Sequence, residues 1–215
     1  MPLDRERDGE RKPVILPEHP APPHAAACMN CELARQRKRV VWGEGNPQAP
    51  LVVLLDNPGA REDKEGNPFV CGTRDTLQEG LAAVGIPLKR VYVTYLLKCR
   101  PIRAYDKPAA REACYPHLQA QLAGMQPKLL LGLGNIVTQF LFRSEEADVK
   151  SLRGRWHEVE GLQTAVSYHP LAVRRRPALL RFFLDDLRLL AERMPADDRT
   201  PGTAAGERAA QDIGT

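Results

Sequence analysis

The sequence predicts an α/β sandwich of three layers, with helices on both faces of a mainly parallel central sheet. Three observations predict it. Four short apolar runs read as buried strands: PLVVLLD (50–56), VYVTYLL (91–97), KLLLGLG (128–134) and TAVSY (164–168). Helical patterns fill 74–84, 108–124, 134–143 and 177–193, so strand and helix alternate as they do around a parallel sheet. There is no internal repeat, and 215 residues supply one sizeable core but not two large domains.

Taken in order, residues 1–26 are rich in Pro and charge and read as a flexible arm, 27–195 as the folded domain, and 196–215 as a disordered tail without periodicity. The first strand runs through five apolar residues, Leu51 to Leu55, straight into Asp56, Asn57, Pro58 and Gly59. Pro108 and Pro177 stand just inside the second and last helical patterns, where proline's fixed φ favours a helix start. In parallel sheets ligands bind outside the carboxyl ends of the strands. Asp56-Asn57, Tyr95, Gly132 to Asn135 and Tyr168-His169 all fall at such ends. A strand that ends on polar side chains at that edge is placed to present them.

Composition excludes some classes. Hydrophobic content of 43% with 27% charge is ordinary for a globular chain, and no run approaches the roughly 18 apolar residues a membrane span needs. The start, MPLDRERDGERKP, has no apolar core of a secretory signal, so a cytoplasmic chain without membrane contact is expected. Nothing suggests a coiled coil, and a monomer is expected. The net charge is +4, but residues 196–215 carry four acids against two arginines, so the positive excess lies on the body. That balance is compatible with nucleic acid without establishing it.

Five cysteines in an intracellular chain point to metal ligation or isolated thiols rather than to disulfides. Cys28 and Cys31 form a C-x-x-C pair, Cys99 follows the second strand, and Cys114 stands near a helix start; Cys71 stands apart. Four such thiolates suit tetrahedral zinc or a [4Fe–4S] cluster, and the spacing does not separate the two.

Taken together, CMNCELAR, LDNPGARED, GNPFV, VYVTYLLKCRP, the Cys114 context, LLLGLGN and SYHPLAV resemble the uracil-DNA glycosylase superfamily, and within it the family 4, iron–sulfur branch. The resemblance spans roughly Cys28 to Arg188. It implies a [4Fe–4S] cluster on Cys28, Cys31, Cys99 and Cys114, with Cys71 outside it. It implies DNA as partner, and a base flipped out of the helix for hydrolysis of its N-glycosidic bond. The first motif of the family commonly reads Gly-Glu-Ala-Pro-Gly. Here it is Leu55-Asp56-Asn57-Pro58-Gly59, similar to the Asn-Pro-Gly motif of the mismatch-specific branch, in which Asn positions the hydrolytic water. Asn57 is thus expected to orient water, with Asp56 the second candidate, and His169 to stabilise the departing base. Gly59, Phe69 and Tyr95 are expected around the base, Phe69 by stacking; Tyr95 stands where the family usually places Asn. Leu171 or Val173 is the expected minor-groove wedge, with Arg174, Arg175 and Arg176 on phosphates.

Each of these residues also has a plainer reading. Asn-Pro-Gly alone is an ordinary turn, a lone His is more often a cap, and Phe69 or Tyr95 alone is more often core. The alternative function is a glycosylase-like iron–sulfur protein that binds DNA with little or no catalysis, motivated by Tyr95.

Overall fold

The computed structural model describes residues 13–64 and 72–195. A seven-stranded sheet runs through it. The strands are β1 (Glu18–His19), β2 (Gly43–Gly45), β3 (Leu51–Leu55), β4 (Val91–Tyr95), β5 (Leu129–Leu133), β6 (His157–Val159) and β7 (Leu162–Ser167). Their spatial order is β1-β2-β4-β3-β5-β7-β6. The four central strands are parallel, while β1, β2 and β6 pair antiparallel at the two edges.

The central strands are those the apolar runs predict, and β3, β4 and β5 are buried along their whole length. Continuous apolar runs are what a parallel strand covered on both faces requires. On one face Leu51, Val53, Leu55, Val93 and Leu131 pack against Leu77 and Leu81 of α2 (Gly72–Ala83) and Phe183, Leu187 and Leu190 of α7 (Leu180–Arg193). On the other, Val52, Leu54, Tyr92 and Leu130 pack against Leu118 of α3 (Lys107–Met125) and Val137 and Phe140 of α4 (Asn135–Leu141). These are the three expected layers.

The expected helices recur with small differences. Asp106 caps α3 by accepting the Ala109 N–H, which moves its start one residue before Pro108. Residues 177–179 form a 3-10 turn that leads into α7 rather than its first α-helical turn. Four short helices and edge strands fall below the length at which sequence period is legible: β2, β6, α5 (Val149–Leu152) and α6 (Pro170–Arg175).

The expected arm needs correction over residues 13–26. There β1 pairs with β2, the Val14 backbone exchanges two hydrogen bonds with Gln78, and α1 (Pro23–Ala26) buries Ala25. Residues 1–12 and the tail expected over 196–215 lie outside the described residues.

The topology locates a crevice. From β3 the chain crosses through α2 to β4 on one side, then back through α3 to β5 on the other. The order reverses between β3 and β5, and ligands of open α/β sheets bind outside the carboxyl ends at such a point.

Candidate active site

A cleft of about 600 Å³ opens at that reversal. Asp56, Asn57 and Gly59 after β3, Tyr95 at the end of β4, Gly134 after β5, and His169 with Leu171 after β7 all line it. Five of the residues singled out for base and water, Asp56, Asn57, Gly59, Tyr95 and His169, are therefore brought together. Phe69 and Cys71 lie outside the described residues.

The turn after β3 is held by its own side chains. Asn57 N–H donates to Asp56 Oδ1 at 2.9 Å, and Gly59 N–H to Glu62 Oε2 at 3.0 Å. Asn57 Nδ2 donates to the Pro58 carbonyl at 3.0 Å, which leaves Oδ1 as the amide's acceptor for a water in the cleft.

His169 is set from two directions. It is the N-cap of α6, and its Nδ1 accepts the Leu171 N–H at 3.1 Å. A ring nitrogen that accepts carries no proton, so in the neutral ring the proton is on Nε2. Nε2 stands 3.9 Å from Asp56 Oδ1, and both side chains reach the cleft, at 25% and 27% exposure. Burial lowers the pKa of His169 from its usual 6.5; Asp56 pulls it back up and Arg74 lowers it further. The result is a neutral imidazole that presents an N–H donor. Gly134 makes room for it: its φ is +89°, and a Cβ there would stand 3.1 Å from the His169 Cβ.

The floor of the cleft holds residues the sequence reading missed. Arg74 of α2, 4% exposed, donates from Nη2 to Tyr95 Oη at 2.5 Å, and its Nε pairs with Glu44 Oε1 at 3.3 Å. Burial raises the pKa of Glu44, with Arg74 the main influence that lowers it. One signal was present in the sequence. Arg74 shares a helix face with Leu77 and Leu81, at i, i+3 and i+7, so a cation stands in an apolar stripe.

The basic loop divides. Arg175 and Arg176 line the rim of the cleft with Leu171, which is 38% exposed. Arg174 turns the other way, and its Nη1 lies 1.2 Å from where a Cβ on Gly72 would stand. Val173 is 4% exposed and belongs to the core, so of the two wedge candidates only Leu171 is placed to act.

Away from the cleft, Cys28, Cys31, Cys99 and Cys114 line one small cavity of about 10 Å³. Arg37 Nη1 donates to Cys99 Sγ at 3.5 Å, and the Lys98 N–H to Cys114 Sγ at 3.2 Å. As free thiols, burial pushes Cys99 up to about 12 against the pull of Arg37, and raises Cys114 as well. Lys98, 1% exposed on the same cavity, donates from Nζ to Thr94 Oγ1 and Gln121 Oε1, each at 2.6 Å. Among the described residues no group of three or more His, Cys, Asp or Glu side chains is arranged around a single metal ion. Four thiolates on one zinc would each lie about 2.3 Å from it. Those of a [4Fe–4S] cube bind separate corners.

Comparison with known proteins agrees with this geometry. The family model for the uracil DNA glycosylase superfamily matches residues 42–188. The type-4 uracil-DNA glycosylase of Archaeoglobus fulgidus is 33% identical over 174 residues, covering 77% of this chain and 87% of the relative. That of Pyrobaculum aerophilum is 35% identical over 170 residues, 74% of this chain and 86% of the relative. That of Saccharolobus solfataricus is 33% identical over 176 residues, 77% and 81% of the two chains. The chain belongs to the uracil DNA glycosylase superfamily and is one of its N-glycosylases.

Proposed function

We propose that this protein removes uracil, or another deaminated base, from DNA by flipping the nucleotide into the cleft and hydrolysing its N-glycosidic bond. The observation that carries the reading is the meeting of Asn57 and His169, from the ends of two different strands, at one cleft, with the His169 proton held on Nε2. As the bond to the base breaks, its electron pair leaves with the base, and positive charge grows on the sugar. His169 Nε2–H donates to the base carbonyl oxygen, where the negative charge collects. Asn57 Oδ1 orients the water whose oxygen bonds to the anomeric carbon, and the Asp56 carboxylate stabilises the cationic sugar. The water's second proton goes to solvent, the base takes one up, and an abasic site remains. Leu171 fills the place the base leaves in the stack, and Arg175 and Arg176 bind phosphates, while Arg174, packed over Gly72, adds positive charge from further off.

The test is excision from oligonucleotides carrying uracil, followed by alkaline cleavage. His169→Ala is expected to lower the rate about 10²–10³-fold, and Asn57→Ala about 10²-fold, with DNA affinity retained. Salt-sensitive binding by the unaltered chain without any abasic product would favour the binding protein over the enzyme.

We also infer that Cys28, Cys31, Cys99 and Cys114 hold a [4Fe–4S] cluster, as the relationship to type-4 enzymes suggests. The cluster would tie residues 28–31 to the exit of β4 and to α3, and takes no part in the hydrolysis. The reading places the chain in the cytoplasm as a monomer, with damaged DNA as its partner.

A further inference from the structure

The loop that leaves β4 repeats, on the other side of the catalytic turn, the pattern of the loop that leaves β7. The parallel strands end in the order β4, β3, β5, β7, so the turn of Asp56 and Asn57 stands between the two loops. On the β7 side an exposed Leu171 is followed by Arg174, Arg175 and Arg176. On the β4 side Ile102, 51% exposed, stands between Arg100 and Arg103, with Lys107 and Arg111 further on. A single exposed apolar residue is ordinary on a protein surface. This one is marked by its place, at the edge that carries the cleft, and by its neighbours. From 100 to 111 the chain has four cations and one acid, Asp106, whose carboxylate caps α3.

The loop is fixed, and it is fixed beside the cleft. The chain stays on β3 past the end of β4, where the Leu96 and Leu97 N–H groups donate to the Leu55 and Asp56 carbonyls at 2.8 Å each. Gln36 Oε1 then accepts both the Ile102 and Arg103 N–H groups at 2.8 Å, and Glu32 accepts that of Asp106. A backbone held in this way loses little further freedom when it binds. Burial raises the pKa of Tyr105, Arg111 lowers it and Asp56 raises it, so this loop lies within electrostatic reach of the cleft. Among the described residues Arg100, Arg103, Lys107 and Arg111 are in no ion pair, and the buried Arg111 Nε has no hydrogen-bond partner.

We infer that residues 100–111 are a second DNA-binding arm, which grips the duplex on the flank of the flipped nucleotide away from Leu171. Arg100, Arg103 and Lys107 bind backbone phosphates there, and Ile102 packs against the sugars between them. Arg111, half-buried and behind them, adds positive charge. Extrusion of a nucleotide unstacks the duplex on both sides of it, and a grip on one flank leaves the other free to close. Two cationic arms with the catalytic turn between them hold both flanks. Phosphate contacts fix position and carry no sequence information, so this arm sets affinity and register rather than the choice of base. The inference rests on the glycosylase reading for its ligand, and its test separates the two.

The first measurement is fluorescence anisotropy of the full chain with a duplex that carries a tetrahydrofuran abasic analogue at its centre, over a series of salt concentrations. Arg103→Gln and Lys107→Gln are each expected to lower the slope of log affinity against log salt by about 1. Adding Arg100→Gln to both should weaken binding about 10- to 100-fold at fixed salt. Ile102→Ser should weaken it a few-fold at an unchanged slope, because no charge is lost. Lys128→Gln makes the same charge change before β5, at the opposite edge of the sheet, and should alter neither quantity. Cutting the duplex back to the lesion on one flank should remove the effect of the arm variants and keep that of Arg175→Gln; cutting the other flank should do the reverse. An unchanged slope in Arg103→Gln and Lys107→Gln overturns the inference. So does an equal change in Lys128→Gln, or loss of the arm and Arg175 effects on the same flank. The second measurement is uracil release from duplex, where the arm variants should raise KM more than they lower kcat. Release by the unaltered chain with a salt slope that the arm variants do not move leaves the glycosylase standing and sinks this proposal. Arm-dependent binding without release does the reverse.

Discussion

The Nδ1 atom of His169 decides how the site responds to acid. It accepts the Leu171 N–H, so a second proton on the ring would set two donors against each other. Burial lowers the pKa below the usual 6.5, which keeps the ring neutral across the physiological range. The rate of excision is therefore expected to be level above pH 6.5 and to fall only on the acid side of it, and a pH–rate profile checks this. The same shift has a sign for stability. The unfolded chain takes up its proton first, so stability declines as pH drops through 6.5 towards the folded value. Denaturant midpoints for the protein and for His169→Gln should converge there. Gly134→Ala tests the space behind the ring: a strained φ and a Cβ contact of 3.1 Å should move the imidazole and lower the rate, with a smaller effect on DNA affinity.

At the scale of elements, α6 and the turn after β3 form the two walls of the cleft. His169 caps α6 and Leu171 follows two residues on, so the proposed donor to the leaving base and the proposed wedge are set by a single cap. Leu171→Ala is expected to slow excision from duplex more than from single-stranded DNA, because only the duplex must be unstacked. Replacing Arg175 or Arg176 should reduce the slope of log affinity against log salt by about 1 for each phosphate no longer neutralised. The opposite wall is tied to the cysteine lobe. Asp63, fully buried, accepts the Lys38 and Arg39 N–H groups at 2.9 and 3.3 Å, and Arg39 also donates to the Glu62 carbonyl. Asp63→Ala strands two N–H groups and should cost about 1–3 kcal/mol, measured by chemical denaturation. Loss of excision beyond that loss of folded protein would show that the lobe also positions Asn57.

For the whole molecule, removing the proposed cluster is the informative perturbation. Iron chelation, or Cys99→Ser, is expected to bleach visible absorbance and lower the thermal midpoint, since buried thiols would then fill a cavity built for ligands. Much of this architecture was legible. Leu51 to Leu55 and Leu129 to Leu133 are apolar throughout because helices cover both faces, and such runs are read without ambiguity. The strand-end residues followed from the topology, since a parallel sheet sends Asp56, Tyr95 and His169 to one edge. What stayed hidden depends on packing between distant parts of the chain. The helix stripe marks Arg74 as a buried cation but not its partners, Tyr95 and Glu44, and Arg174 is not told from Arg175 until Gly72 receives it. The edge strands β1 and β2 are two and three residues long, too short to leave a period.

The cysteine cavity has a consequence for how the protein is made. The cysteines that line it are far apart in sequence, and Cys114 follows Cys31 by more than eighty residues. At about 5–20 residues per second, the first pair is made roughly 4 to 17 seconds before the last of the four cysteines. For that interval the nascent chain carries thiols, first Cys28 and Cys31 and then Cys71 and Cys99, that can be oxidised or captured by the wrong metal. For the proposed cluster, iron delivery is therefore a race against the chain's own synthesis, and expression that outpaces cluster supply should yield colourless, aggregation-prone chains.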